Sequence, residues 1–466
     1  MRILVSALLS LLLGSLFGIT FTAMLGRAEE SIFITSDGTI SPSSAPIQRD
    51  EERYTLMANL SSGIVVQRDN IVIDGNGYTL QGDGAGKGFD LSYRKNVTVK
   101  NAHIRSFTYG VDLEHSTDNK IVGNWITRCV YGIMSQYSPR NTIINNIVTN
   151  DAVNENWWDG IFATYSDGST LNNNTIANFY KWGLYIGSST GIILRNNQID
   201  GNRWNFAVTD KFIHDIDSSN TVDGKPIYYL VKQQDTQVPA NAGYVAIVNS
   251  TNITVRNLNL TNNGQGVVLV NSKNCLVENS VITKMGYYAI QIVDADDNTI
   301  SNNDITDNRP PYFGAGIAVQ RYSTGNIIRN NLIKNNELGI LFYNSDDNKI
   351  YHNNFVGNAV QASSDGSKNT WDNGYPFGGN YWSNHVDSDN KSGSNQDKPG
   401  RDGIGDNPYI IDKTNRDEYP FMSMVPKVGS AFVDVTLAST GIATIIAVAI
   451  LAYFIKTRIR ANMHQT

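Results

Sequence analysis

Cysteine is nearly absent from this chain: Cys129 and Cys275 are the only two in 466 residues. That excludes a disulfide scaffold, and the two thiols, far apart in the chain, read as small buried residues in a wall of the fold. Histidine is scarce as well. His103, His115, His214, His352 and His385 are scattered with no two close in sequence, so neither a zinc nor a copper motif is spelled out. Positive charge is not in excess: 37 Lys and Arg stand against 43 Asp and Glu, a formal net charge of −6. Nucleic acid is therefore not an expected partner.

Helical spacing of apolar residues is missing from the body of the chain, and a repeat stands in its place. The segment N-x-I/V-x-x-N-x-I recurs at Asn96, Asn119, Asn141, Asn252, Asn274, Asn298, Asn326 and Asn348, with variants at Ser169 and Gly191. Its steps are 23, 22, 28 and 22 residues in the first half and 22, 24, 28 and 22 in the second. A second beat of small residue then apolar residue follows each one, as in Gly132-Ile133, Gly160-Ile161, Gly183-Leu184 and Gly339-Ile340. A fixed period of this size means stacked units, none able to bury its apolar face alone. Within a unit, apolar and polar residues alternate over four to six positions, which is strand periodicity. Asn, Gly, Asp and Ser between the strands tolerate left-handed backbone angles.

The expected fold class is therefore all-β: a single-stranded parallel β-helix of about 22 residues per coil. Ten or eleven coils spaced about 4.8 Å apart give a rod on the order of 50 Å long. Recurring asparagine pairs such as Asn145-Asn146, Asn302-Asn303 and Asn330-Asn331 read as structural ladders between coils, not as ligands. Both 28-residue steps carry an insertion, Asp151 to Trp158 and Asp307 to Phe313. Insertions in repeat arrays fall on one face, often the binding face.

The domain plan runs from a signal peptide or signal anchor over 1–28 to an N-terminal cap and first coil over 31–80. The β-helix fills 81–358 in two blocks joined by a linker at 215–245, and a C-terminal cap with an Asp/Gly-rich loop fills 359–425. Residues 435–455 carry no charge and are long enough to cross a bilayer; Lys456, Arg458 and Arg460 follow at once. The expectation is a single-pass protein of the cell membrane, held in lipid by that span, with a large glycosylated outer domain and a cytoplasmic tail at 456–466.

Three stretches carry a family resemblance: Asn70-Ile-Val-Ile-Asp-Gly-Asn-Gly-Tyr-Thr-Leu80, Asn220-Thr-Val-Asp-Gly-Lys-Pro-Ile-Tyr-Tyr229, and Trp371-Asp-Asn-Gly-Tyr-Pro-Phe-Gly-Gly-Asn-Tyr-Trp382 with Asp402-Gly-Ile-Gly-Asp406 after it. With the repeat, they resemble the NosD-like parallel β-helix proteins, also described as CASH domains, over roughly Ser31 to Met422. The resemblance implies a right-handed coil of pectin-lyase-like type and an archaeal, membrane-anchored member. It also implies copper delivery, which the scattered histidines do not support.

Three sets of residues are candidates for chemistry. Asp387, Asp389, Asp397, Asp402 and Asp406 alternate in a Gly-rich loop and could supply the six to eight oxygens that calcium takes. Phe162, Tyr185, Tyr137 and Tyr165, with Trp157 and Trp158 on the first insertion, are candidates for holding a carbohydrate. The matching positions of the second half, Val268, Gln291, Ala318 and Leu341, are plainer. Asp112, Glu114 and His115 lie in Tyr109-Gly-Val-Asp-Leu-Glu-His115, loosely similar to the Tyr-Gly-x-Asp-Pro-His motif of alginate epimerases, but Leu113 stands where the motif has proline and the histidine falls one residue late. The leading expectation is an envelope protein that binds glycan or acts as a scaffold. A carbohydrate-active lyase, epimerase or hydrolase, and a metal-delivery accessory protein, stay open as alternatives.

Overall fold

One repeat shows how these residues make a coil. Lys120–Val122, Trp125–Thr127 and Tyr131–Gln136 are its three strands. Ile121, Ile126 and Ile133 point inward and are fully buried. Each pairs in parallel with its counterpart one coil on: Ile121 with Ile143, Ile126 with Val148, Ile133 with Ile161. Ile161 in turn lies beside Leu184, so the aliphatic column expected at these positions is present. The small residue of the second beat has a steric cause. A Cβ on Gly132 would lie 2.3 Å from the Val148 side chain and 2.6 Å from the Gly160 carbonyl oxygen.

The computed structural model describes residues 31–151, 159–309 and 314–426. Among these no helix is long and apolar enough to cross a membrane. The expected signal segment, the span at 435–455 with its tail, and Trp157 and Trp158 lie outside the described residues.

The coils do not form one straight rod, as the period alone suggested. They form two arms that share a 14-stranded sheet. Seven of its strands, from Thr79–Gln81 to Thr221–Val222, belong to the first arm and run parallel. A tight hairpin at Asp223-Gly224 then pairs Val222 with Lys225 antiparallel. The other seven strands, from Lys225–Val231 to Val360–Asp365, run parallel to one another and opposite to the first seven. Reversing the strand sense while the coil keeps advancing would invert its hand, unless the interior also moves to the other side of the sheet. The interior does move. In Tyr244–Val248, Tyr244, Ala246 and Val248 join the core of the first arm, whereas Val245 and Ile247 join that of the second. All five are buried. The linker expected at 215–245 is thus the hinge of the sheet and part of it.

This arrangement closes the first arm. Tyr229, Tyr244, Val268 and Val270 project from the wall of the second arm into the first arm's core. The contact is tight: Gly264 N–H donates to the Phe206 carbonyl at 2.8 Å, and fully buried Gln265 donates through Nε2 to the Val208 carbonyl at 2.8 Å. The far ends are closed by aromatic residues. Tyr54 and Leu56 fill the first coil together with Ile32 and Ile34, while Phe33 is only half-buried. Trp371 and Trp382 fill the last coil, whereas Phe377 is largely exposed.

The turns run on asparagine. Asn145, Asn196, Asn302 and Asn330 hold left-handed angles with φ of 58–59° or 53°. The asparagine after each turns inward, and the expected ladders form. In one, Asn303 Nδ2 donates to Asn331 Oδ1 at 3.0 Å, Asn331 to Asn353 at 2.9 Å, and Asn353 to Asn380 at 3.0 Å, with Asn380 reaching the carboxylate of Asp417. Each amide also donates to a carbonyl of the preceding coil, so buried polar backbone that three-residue strands leave over finds partners.

Candidate functional site

The first arm carries its longest strands on one face, a nine-stranded sheet here called the front sheet. Two outward columns of side chains run up it. Lys87, Tyr109, Tyr131 and Asp159 are in register in one, with Trp182 and Trp204 paired above them. Asp90, Asp112, Met134, Phe162, Tyr185 and Ala207 form the other. Parallel in-register pairing repeats the same position at every coil, so a row of similar residue types becomes a continuous stripe.

At the lower end the stripe is charged. The Lys87 ammonium lies 2.7 Å from Asp112 and 3.1 Å from Asp90. Burial pushes the Asp112 carboxyl above its ordinary range, against the pull of Lys87. Burial works to lower the Lys87 ammonium, but the hydrogen bonds and charges of Asp112 and Asp90 outweigh it and hold it above its usual value. Above this cluster the stripe is aromatic. Tyr109 and Tyr131 stack at 5.2 Å, and Phe162 and Tyr185 at 4.7 Å. Asp159 sits between, its carboxyl raised by burial and 3.6 Å from Lys181.

At the upper end the stripe runs into the second arm. Trp182, Trp204 and Ala207 pack with Tyr185 and with Tyr287 of the second arm. The plainer positions of the second half prove to be buried, Val268 and Ala318 completely and Gln291 and Leu341 to within 8%. The front stripe therefore ends against the second arm at Tyr287. Short-range periodicity could not place the two together, because the reversal at Asp223-Gly224 decides how one arm faces the other.

The catalytic candidates separate. Asp112 belongs to the charged cluster, and Glu114 touches it only through a backbone N–H at 3.1 Å. His115 turns away into a ladder of rings, stacked between Tyr93 at 5.1 Å and Tyr137 at 5.0 Å. Tyr165 continues that ladder at 4.7 Å from Tyr137. Tyr137 and Tyr165 are thus half-exposed at a turn, not on the stripe of Phe162 and Tyr185. Stacking consumes the ring faces of this ladder and leaves edges and hydroxyls outward. Lys87, Tyr109 and Tyr131 were missed from sequence; their alignment one coil apart is the signal that could have found them.

The acidic loop places its carboxylates separately. Asp387 accepts from Asn407 N–H and Nδ2, both at 2.8 Å. Asp389 accepts from Asp402 and Gly403 N–H, Asp402 from Gly393 and Ile404 N–H, and Asp406 from Asn390 and Lys391 N–H. Asp397 is exposed. Among the described residues no three His, Cys, Asp or Glu side chains gather at one point.

Copper takes imidazole, thiolate or thioether donors gathered round a centre. His214 is buried, its ring held near a pKa of about 4 by that burial and bonded to Ile192 N–H and the Lys211 carbonyl. His352 bonds the Phe377 carbonyl at 2.7 Å, His385 the Asn407 carbonyl at 3.3 Å, and His103 packs edge-on to Trp125. Cys129 and Cys275 are free, each buried in a different core, and burial pushes the Cys129 thiol up to about 12. The described residues do not fit a copper centre.

Comparison with known proteins gives a general likeness to solved solenoids. The Mannuronan C-5 epimerase AlgE4 A-module of Azotobacter vinelandii is 16% identical with a TM-score of 0.31, over 68% of this chain and 89% of that one. The tailspike protein of E. coli bacteriophage HK620 is 10% identical with a TM-score of 0.29, over 65% and 56%. The GH87 alpha-1,3-glucanase of Streptomyces thermodiastaticus is 13% identical with a TM-score of 0.27, over 73% and 70%. No curated protein matches the chain. The family described as periplasmic copper-binding protein (NosD) matches residues 41–223 and again 213–386, through both arms and the hinge between them, and the chain belongs to that family.

Proposed function

We propose that this protein binds a glycan along the front sheet of its first arm, outside the cell, with residues 1–28 serving export and residues 435–455 tethering it to the membrane. One observation carries the reading: half-buried Tyr109 and Tyr131 in one column, and Phe162 and Tyr185 in the next, form two in-register pairs on a single outward face, beside Asp90, Asp112 and Asp159. Tyrosine offers apolar edge and hydroxyl together at low entropic cost, which suits a ligand of alternating C–H and O–H groups. A face that repeats every coil, about 4.8 Å, suits a polymer with a short repeat. A glycan array probed with the full chain tests this. Tyr131→Ala with Phe162→Ala should abolish the signal of every bound glycan that the groove described below does not hold; an unchanged array would sink the reading.

A second reading is catalysis on the same polymer, favoured by the cluster of Lys87, Asp90 and buried Asp112 beside Tyr109. A carboxyl raised by burial next to an ammonium is a pair suited to moving protons. Turnover of a bound glycan that Asp112→Asn stops, without loss of binding, would establish it. Binding with no turnover in the full chain would leave the first reading alone.

A further inference from the structure

At the corner that leads into the front sheet's last strand, Trp204–Thr209, the two arms leave a cleft of about 740 Å³. Tyr180, Arg203 and Trp204 line it from the first arm, and Lys284, Asp307 and Arg309 from the second. Its cations are held by neutral groups. The Arg203 guanidinium lies 4.7 Å over the Trp204 ring and 5.4 Å from that of Tyr180. Arg309 donates to the carbonyls of Asn335 and Gly357 at 2.8 and 2.7 Å. Lys284 is exposed and projects from a left-handed turn residue, φ 59°. Among the described residues, no carboxylate lies within ion-pair distance of these three.

Other surface arginines divide: Arg49 too is held by the Gly38 and Glu51 carbonyls and lies over the Tyr54 ring, but several are neutralised. Arg53, Arg128, Arg140 and Arg195 all pair with aspartates at 2.5–2.8 Å. In the cleft, three cations and the one carboxylate of Asp307, itself bonded to Asn335 at 3.2 Å, sum to +2 on a chain whose net charge is −6. Rings and carbonyls fix where an arginine sits without neutralising it, so the charge is left for a ligand.

We infer that this cleft binds an acidic saccharide, its carboxylates held by Arg203, Lys284 and Arg309. A guanidinium matches a carboxylate in a planar two-point contact. The carboxamides of Asn178 and Asn262 and the Tyr180 hydroxyl, also on the rim, suit sugar hydroxyls. Nucleic acid fits less well: three cations are few for a phosphate backbone, and of the two rings Trp204 is buried and Tyr180 carries Arg203 over one face. The inference shares only the class of ligand with the front-sheet reading, because none of Tyr109, Tyr131, Phe162 and Tyr185 lines the cleft.

Calorimetry of the full chain with a hexuronate oligomer, a neutral glucan oligomer and a single-stranded oligonucleotide tests it. The uronate should bind, and binding should weaken as salt rises. Arg203→Ala with Lys284→Ala and Arg309→Ala should weaken it by about tenfold or more, while Tyr131→Ala with Phe162→Ala should leave it unchanged. Lys284→Gln alone, at an exposed site that need not disturb folding, should lower affinity severalfold. Absence of uronate binding at low salt, indifference to Lys284→Gln in a folded protein, or tighter binding of the oligonucleotide would each overturn the inference. Loss of neutral-glucan binding in the front-sheet variant alone would bear on the other site and not on this one.

Discussion

Trp182 of the first arm lies against Tyr287 of the second, ring centroids 5.0 Å apart and planes 21° from parallel. Neither residue belongs to the main core of its own arm; they pack with Trp204 and Ala207 in a separate cluster that joins the arms. Gly286 makes the approach feasible, since a Cβ there would lie 2.6 Å from the Trp182 ring and 2.8 Å from that of Trp204. Trp182→Ala should destabilise the full chain by about 3–5 kcal/mol, as for other large aromatic truncations. Gly286→Val should also destabilise it, through the clash. Urea unfolding measures both, and a Trp182→Ala loss under about 1 kcal/mol would show that the joint is not built on these rings.

The asparagine ladder predicts a cost at a residue that touches no ligand. Asn331 accepts from Asn303 N–H and Nδ2, and donates to the Ile300 carbonyl and Asn353 Oδ1. Asn331→Ala would leave those groups unpaired at a completely buried site. Each orphaned polar group costs about 1–3 kcal/mol, so the variant should lose several kcal/mol in denaturant titration. Asn330, beside it and only partly buried, should lose little when changed to glycine, which also accepts its φ of 58°.

The ladder ends on a titrating group. Burial pushes the Asp417 carboxyl from its ordinary 3.8 up to about 7, against N–H donation from Asn380, Trp382 and Tyr419. For an acid raised by folding, the contribution to stability is complete below the unfolded value and is lost as pH climbs to the folded one. The melting temperature should therefore carry a component that falls between pH 4 and pH 7. Asp417→Asn should remove that component while lowering stability throughout, because its amide nitrogen would meet a donor. Parallel pH profiles for the two proteins would contradict the assignment.

Lys87 and Asp112 predict non-additivity. Lys87→Met strands a carboxyl whose side chain is only 5% exposed and should cost about 2 kcal/mol, less than a fully buried pair because Lys87 itself reaches solvent. Pairing it with Asp112→Leu should recover most of the loss. A double-mutant cycle with additive terms would show that the two do not act as a pair.

The coil, its inward residues and its ladders were legible because they are local. Ile121, Ile126 and Ile133 repeat at fixed offsets, and left-handed turns select asparagine at those offsets. The register of ladder residues was legible to within one position: Asn173 takes the left-handed turn and Asn174 the ladder, while the corresponding pair of the last coil is His352 and Asn353. The corner was not legible. Its geometry follows from one two-residue hairpin, and nothing in the period announces that strands after Lys225 run the other way. The site suffered most from this. Phe162 and Tyr185 were visible as a stripe, but Lys87 and Tyr109 needed register, and Arg203 and Lys284, 81 residues apart, needed the fold between the arms.

Because the wall of the second arm seals the first, ribosomes deliver the first arm before its lid exists. Phe206 and Val208 must wait, with the strand edge at Trp204–Thr209 open, until residues up to about Val270 have been made. An open apolar edge is a template for pairing with another chain. Slow synthesis or export of the second half should therefore be punished as aggregation of the first, and a chain cut short at the hinge should prove more hazardous to its cell than one cut short near the end.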